Sequence, residues 1–332
     1  MSNLDVAPAE VTGGRRGNAR ESVVLPYRNV PLGGPRAMPV RRSLPQRAQS
    51  LIGAWCFADH YGPDDVSRTG GMMVPGHPHT GLQTVSWLFA GEIEHRDTTG
   101  VHAIVRPGQL NLMTAGAGIA HSEYSTPATT VLHGAQLWIA LPAAHRFTEP
   151  GFAHYEPPVT EVAGATVRVF LGTLFGQTSP VPAYSPLVGA EVTLAPGMAL
   201  DMEVNTGHEH GFLCDSGRLS VDVAQAQPGE IVFCPAGAQV ITLRADGSQG
   251  TRILVLGGEP LGEQIVMWWN FIGRTHEEIA AFREDWQRQR AARPAGAPGR
   301  YGVFPQAWTH TLPAPDLPAV RLRPRGISQQ LQ

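Results

Sequence analysis

The sequence predicts a mainly all-β protein, two tandem β units of sandwich or barrel type followed by a C-terminal helix. Three observations predict it. Residues 71–142 read as short apolar segments with turns every ~8–12 residues, the rhythm of a sandwich or barrel. A second run of the same kind covers about 165–258, where Pro228-Gly229 turns the chain into a strand as Pro107-Gly108 does in the first. A clear helical pattern is confined to residues 274–291. The 38 glycines and 29 prolines favour turns over long helices, and 332 residues suit about two domains at roughly 150 residues each.

Taken in order, residues 1–20 are rich in Ala, Gly, Glu and Arg and read as a disordered leader without an apolar signal core. Residues 21–150 form the first unit. Between 22 and 60 it has short candidate strands broken by Pro and Gly; its clearest strands are 101–105, 110–113 and 132–141. Residues 150–158 read as a crossover. The second unit, 151–291, has strands at 167–171, 191–194, 219–223, 231–233, 240–243 and 253–256, and ends in the helix. Thr275 with Glu278 forms a capping box. Ile279, Phe282 and Trp286 recur at helical spacing, so this face packs on a barrel. Glu277 and Glu278 open the helix and Arg288 and Arg290 close it, matching its dipole. Residues 292–332 read as an extended Pro/Gly-rich tail docked through Tyr301, Phe304 and Trp308.

Composition narrows the function classes. Hydrophobic residues make up 42% of the chain, enough for sizeable cores. The formal net charge of -3 gives no electrostatic basis for binding nucleic acid directly or an anionic membrane. No stretch approaches the ~20 apolar residues of a membrane span. The three cysteines, Cys56, Cys214 and Cys234, are scattered without pairing or zinc spacing, which suits a reducing compartment. Cys56 and Cys214 read as buried structural thiols. These features together predict a cytoplasmic protein.

The chemistry concentrates between Gly71 and Glu123. Side chains two residues apart on a strand share a face, so His77 and His79 can point together, as can His121 and Glu123. If the two pairs lie on neighbouring strands, three imidazoles and one carboxylate converge into a metal site of hard and borderline ligands. Gly116 and Gly118 let the backbone turn tightly ahead of His121 and aim it inward. Pro78 has no N–H and belongs at a strand end or edge.

These residues resemble the pirins, a branch of the cupin superfamily. The likeness rests on Gly71 followed by His77-Pro78-His79-Thr80-Gly81, on Met113-Thr114-Ala115-Gly116 through His121-Ser122-Glu123, and on His133-Gly134-Ala135-Gln136-Leu137-Trp138 ending at Leu141-Pro142. Arg41-Arg42-Ser43-Leu44-Pro45 and Phe57-Ala58-Asp59-His60-Tyr61-Gly62-Pro63 look like the family's opening. The resemblance runs from about Arg41 to about Arg283. It implies a bicupin with the metal in the first barrel, held by His77, His79, His121 and Glu123. The glutamate common in other cupins a few residues after the second histidine is replaced here by Gln83 or Thr84; pirins use the one two residues after the last histidine, here Glu123. Iron(II) is the metal the family implies, while nickel, cobalt, copper, manganese or zinc suit the same ligands.

Other candidates are weaker. His208-Glu209-His210 repeats the spacing in the second unit, but no histidine follows between 231 and 256, so these two read as surface or loop residues without a second metal. His95 and Asp97 read as a solvated hairpin tip, with the orienting of a ligand imidazole as the alternative. Gln136 and Trp138 share a strand face, the first a candidate cavity wall and the second core. Arg146 and Arg252 read as surface charges.

The resemblance implies two kinds of function. One is a dioxygenase similar to quercetin dioxygenases: a flavonol or related aromatic and dioxygen are substrates, and Glu123 takes the substrate's hydroxyl proton. The other is an iron-dependent redox sensor that regulates through a protein partner.

Overall fold

The computed structural model describes residues 22–32, 38–292 and 299–324. The leader expected over 1–20 lies outside the described residues, as does part of the tail.

Two units of matching design make up the fold. The first has a seven-stranded antiparallel sheet in the order Gly151–Tyr155, Leu110–Thr114, Leu82–Ala90, Val131–Ala140, Trp55–Asp65, Met38–Leu44 and Arg28–Leu32. It faces a four-stranded sheet of Met73–His79, Ile119–Ser125, Ile93–Asp97 and His102–Val105. The second unit repeats the plan. Its seven strands run Val23–Leu25, Ile231–Cys234, Glu209–Ser216, Thr251–Gly258, Leu187–Leu194, Ala165–Leu171 and Thr160–Val162. Its four are Ala199–Glu203, Val240–Ala245, Leu219–Val221 and Ala224–Ala226. The duplication, faint in the sequence, is plain in the strand order.

The large sheets pack back to back through one apolar layer. Trp55, Trp87, Val85, Leu112 and Leu137 from the first unit bury themselves against Phe170, Leu213, Ile231, Leu254 and Leu256 from the second. Two indoles also satisfy their N–H groups across this layer. Trp87 Nε1 donates to Glu191 Oε2 at 2.7 Å, and Trp55 Nε1 to the Val188 and Gly257 carbonyls at 3.2 Å each. Each buried aromatic of this size contributes on the order of 1.5–3 kcal/mol through area removed from water.

Each unit borrows an end of the chain. Val23–Leu25 does not join the first unit; it pairs with Ile231–Cys234 in the second. Residues 150–158 are no simple crossover, because Gly151–Tyr155 pairs with Leu110–Thr114 as an edge strand of the first unit. The helix His276–Ala291 and the described tail pack on the first unit through Ile279, Phe282, Trp286, Tyr301 and Trp308, with Ala120 beneath them. Thr275 caps the helix as expected, accepting from the Glu278 N–H at 3.2 Å. Trp308 Nε1 donates to Ser122 Oγ at 2.8 Å, next to two of the expected metal ligands. Trp286 Nε1 donates to the Leu312 carbonyl at 2.9 Å, and Leu312 N–H to that of Gly76 at 2.8 Å. These exchanges are invisible to local periodicity because they join residues far apart in the chain.

The barrel interiors differ. The second is filled by apolar side chains such as Val192 and Phe212, with Cys214, Val232, Ile241 and Val255. The first holds a row of polar groups between its sheets.

Candidate metal centre

The polar row begins on the strand Met73–His79, an edge of the small sheet, where Pro78's missing N–H costs no ladder bond. Its neighbour Ile119–Ser125 runs antiparallel, with His77 directly opposite His121 and Ile119 opposite His79. The Gly-rich approach works as a turn. Gly116 sits at φ +49°, and a Cβ there would lie 1.9 Å from the Thr148 carbonyl oxygen. Only glycine fits this approach, and the turn delivers His121 into the barrel.

His77, His79 and His121 are fully buried, and one ligating nitrogen from each lies within 4.8 Å of the others. Their ring centroids are 4.3 Å apart for His77 and His121, 5.0 Å for His79 and His121, and 5.1 Å for His77 and His79. Nε2 of each ring makes no hydrogen bond to the protein. Burial pushes the His77 imidazole down to about 3, against the stabilising pull of the Pro75 carbonyl. Burial likewise holds His79 and His121 well below the ordinary value, helped in both by neighbouring imidazoles. Neutral rings with buried, unsatisfied lone pairs are costly unless a cation takes them. That is the chemistry of a metal site, and these residues fit one. His77 Nδ1 lies 2.9 Å from the Pro75 carbonyl, so it carries the proton and leaves Nε2 free to ligate. His79 sits beside the Asn270 backbone without a well-formed hydrogen bond at either nitrogen.

Glu123 is buried on the same strand, but the register shifts between His121 and Glu123. Its carboxylate groups with His121 and His95 within 4.8 Å, rather than with the three histidines as one quartet. Ser86 Oγ reaches Glu123 Oε1 at 3.3 Å and Gln136 Oε1 at 2.8 Å. The Gln136 Nε2 amide is buried with no partner among the described residues. Gln136 therefore does line the interior. Trp138 also stands at the site, its ring 5.1 Å from His79 and nearly perpendicular, stacked on Phe57 behind it at 4.1 Å.

Several expectations need correction. His95 and Asp97 are no hairpin tip: they are 3% and 1% exposed, and His95 Nδ1 lies 3.4 Å from His121 Nδ1. His210 is not at the surface; it is buried on the strand Glu209–Ser216, where burial pushes its imidazole down to about 4. His208 is half-buried between a turn and that strand. Arg252 is not a free surface charge, since its Nε donates to Asp215 Oδ2 at 2.7 Å; Arg146 pairs with both oxygens of Glu278 at 2.6 and 2.8 Å. The thiols are buried as expected, and burial pushes Cys214 up to about 12 and Cys234 to about 11, so both are inert as nucleophiles. Ser86 was missed; its signal was the pair Thr84 and Ser86 sharing one face of the strand Leu82–Ala90.

A second cluster, His60, His133 and Asp215, also has metal-ligand composition. Its hydrogen bonds argue against that use. Arg41 Nε donates to His60 Nδ1 at 3.0 Å, which places the His60 proton on Nε2, facing Asp215 Oδ1 at 2.7 Å. His133 Nε2 lies 2.7 Å from the same oxygen, an ion-pair distance without hydrogen-bond geometry, so the exclusion rests on His60 and Arg252. With Arg252 on the other oxygen, this is a charge network joining the two units.

The pirin family profile matches residues 37–139, and the pirin C-terminal cupin domain matches 189–292. A Pseudomonas aeruginosa protein provisionally named quercetin 2,3-dioxygenase is 40% identical over 280 residues, 84% of this chain and 86% of the relative. The chain belongs to the pirin family. Its two barrels are therefore the two cupin domains of a pirin. A crystal structure titled as quercetin 2,3-dioxygenase from Acinetobacter baumannii superposes with a TM-score of 0.84 at 36% identity, covering 91% of this chain and 97% of that one. A bacterial pirin from Escherichia coli in complex with nickel(II) shares the fold at a TM-score of 0.57 and 16% identity, covering 72% of this chain and all of that one (100%). Among the described residues of this pirin, no helix is long and apolar enough to cross a membrane.

Proposed function

We propose that this pirin is a dioxygenase for quercetin or a related flavonol, with one divalent metal, iron(II) first, held by His77, His79, His121 and Glu123. The observation that carries the reading is the convergence of three buried imidazoles, each with an unpartnered Nε2, beside a buried glutamate. The names of the Pseudomonas and Acinetobacter relatives support the substrate class. A divalent ion with these ligands would supply open positions for dioxygen and for chelating oxygens of the substrate.

The protein's own groups divide the remaining work. Glu123 takes the flavonol hydroxyl proton, whether as a ligand or after loosening, which leaves an electron-rich flavonolate for attack by dioxygen. The single Ser86 hydroxyl proton is shared between Gln136 Oε1 at 2.8 Å and Glu123 Oε1 at 3.3 Å, so Ser86 ties these two side chains together. The Gln136 amide is a donor for a substrate oxygen, and the Trp138 face supplies an apolar wall for a flat aromatic. Burial excludes water from the proton transfer.

Oxygen uptake with quercetin, measured on iron(II)-loaded protein, tests this reading. Glu123→Gln should keep the fold and lose about 10²–10⁴-fold in turnover, the usual worth of a positioned base. Undiminished turnover in a variant of equal metal content would remove Glu123 from the chemistry. Stoichiometric metal in the parent without any oxygen uptake would move the account to an iron-dependent sensor acting through a protein partner.

A further inference from the structure

His95 lies directly across the ladder from Glu123, and Asp97 directly across from His121. All four are buried. The side chains form a chain of contacts: His121 Nδ1 to His95 Nδ1 at 3.4 Å, then His95 Nε2 to Asp97 Oδ2 at 3.2 Å. Asp97 is itself fixed. Its Oδ1 accepts from the Thr99 N–H at 2.8 Å, Thr99 Oγ1 at 2.7 Å and the Val101 N–H at 3.2 Å.

The direction of these bonds follows from which atoms can donate. An aspartate carboxylate only accepts, so the neutral His95 ring carries its proton on Nε2. Its Nδ1 is then a lone pair. Two lone pairs cannot face each other at hydrogen-bond distance, so the His121 proton must sit on Nδ1 and be donated to His95. Nε2 of His121 is left as the lone pair, and it is the nitrogen that has no protein partner. His77 reaches the same tautomer by a different route, through the Pro75 carbonyl.

We propose that His95, held by Asp97, is a positioning residue that fixes the tautomer and ring orientation of His121 and so raises the affinity of the site for a divalent metal. The inference rests on the metal-centre reading above and adds residues that the ligand set does not contain. Hydrogen-bonded partners of ligating imidazoles are worth about 10–100-fold in metal affinity.

The test uses full-length protein and metal alone. Nickel(II) affinity is measured by chelator competition. Copper(II)-loaded protein is examined by electron spin echo envelope modulation, which reads the remote ring nitrogen of a ligating histidine and its hydrogen bond. His95→Phe keeps the ring volume but cannot accept the bond; it should bind nickel about 10–100-fold more weakly and change the remote-nitrogen coupling. His95→Gln, whose amide oxygen can accept, should recover most of both. Asp97→Asn, which offers a donor as well as an acceptor, should shift the coupling in the same direction as His95→Phe. Nickel affinity within about twofold of the parent for His95→Phe, or unchanged coupling in both His95→Phe and Asp97→Asn, would overturn the proposal while leaving the metal centre intact. A parent protein that takes up neither metal would instead contradict the metal centre itself, and this inference with it.

Discussion

The His121→Ala protein is expected to fold and to hold no stoichiometric divalent metal. His121 lies within 5.0 Å of the ring centroids of both other histidines and is fully buried. Removing its ring takes away one of the converging ligands, so the affinity loss should exceed the roughly 100-fold upper range for a residue that only supports a ligand. Folding of the metal-free chain should suffer little. The substitution leaves a cavity and takes the donor from His95 Nδ1, but it also removes a buried nitrogen that lacks a hydrogen-bond partner, and an unsatisfied group costs about 1–3 kcal/mol, so these terms largely offset. His102→Ala is the control. That side chain is 49% exposed, pairs with Glu94 and stands apart from the centre, so metal content should equal the parent's. Chelator competition and metal analysis check both. Full metal content in His121→Ala would contradict the assignment.

The second large effect concerns stability. Asp215 lies on a strand of the second unit, and two of its partners, His60 and His133, lie on strands of the first. Its side chain is fully buried and Arg252 completes its shell. Asp215→Ala leaves those groups without their shared acceptor, and breaking a buried charge network of this kind costs about 3–5 kcal/mol. Urea unfolding should show that loss. Burial pushes the Asp215 carboxyl up, but the adjacent His133 and His60 outweigh it and hold the group far below its ordinary value of 3.8. A depressed carboxylate contributes stability that is complete above its unfolded value and disappears as pH falls through the folded one. The gap between the parent and Asp215→Asn should therefore be full at pH 7 and shrink below about pH 4. A gap that does not change with pH would mean that the charge of Asp215 does no stabilising work.

Much of this architecture was legible locally. Alternation put His77 with His79, and the turn residues before His121 marked where the chain bends back. Thr275 and Glu278 placed the helix start, because a capping box is a contact between near neighbours. What escaped was long-range. Nothing near residue 23 says that its strand completes the second unit, and nothing near Trp308 says that its indole reaches Ser122. His95 and Asp97 looked like a hairpin tip because polar residues beside a Thr-Thr-Gly turn usually face water. Their burial comes from the neighbouring strand Ile119–Ser125, which pairs with theirs. The His60, His133 and Asp215 network was unreadable for the same reason: its members come from three separate strands, and only the back-to-back packing brings them together. Arg41 and Arg42 make sense only after folding, with Arg41 on His60 and Arg42 forked onto Asp59 at 2.6 and 2.7 Å.

The most direct test of the metal centre is anomalous diffraction from crystals of the iron- or nickel-loaded protein. The account predicts one strong anomalous peak within ligating distance, about 2.0–2.2 Å, of Nε2 of His77, His79 and His121, with the Glu123 carboxylate closing the set. A peak at the His60, His133 and Asp215 cluster instead, or fully loaded protein in which the three Nε2 atoms share no ion, would contradict it.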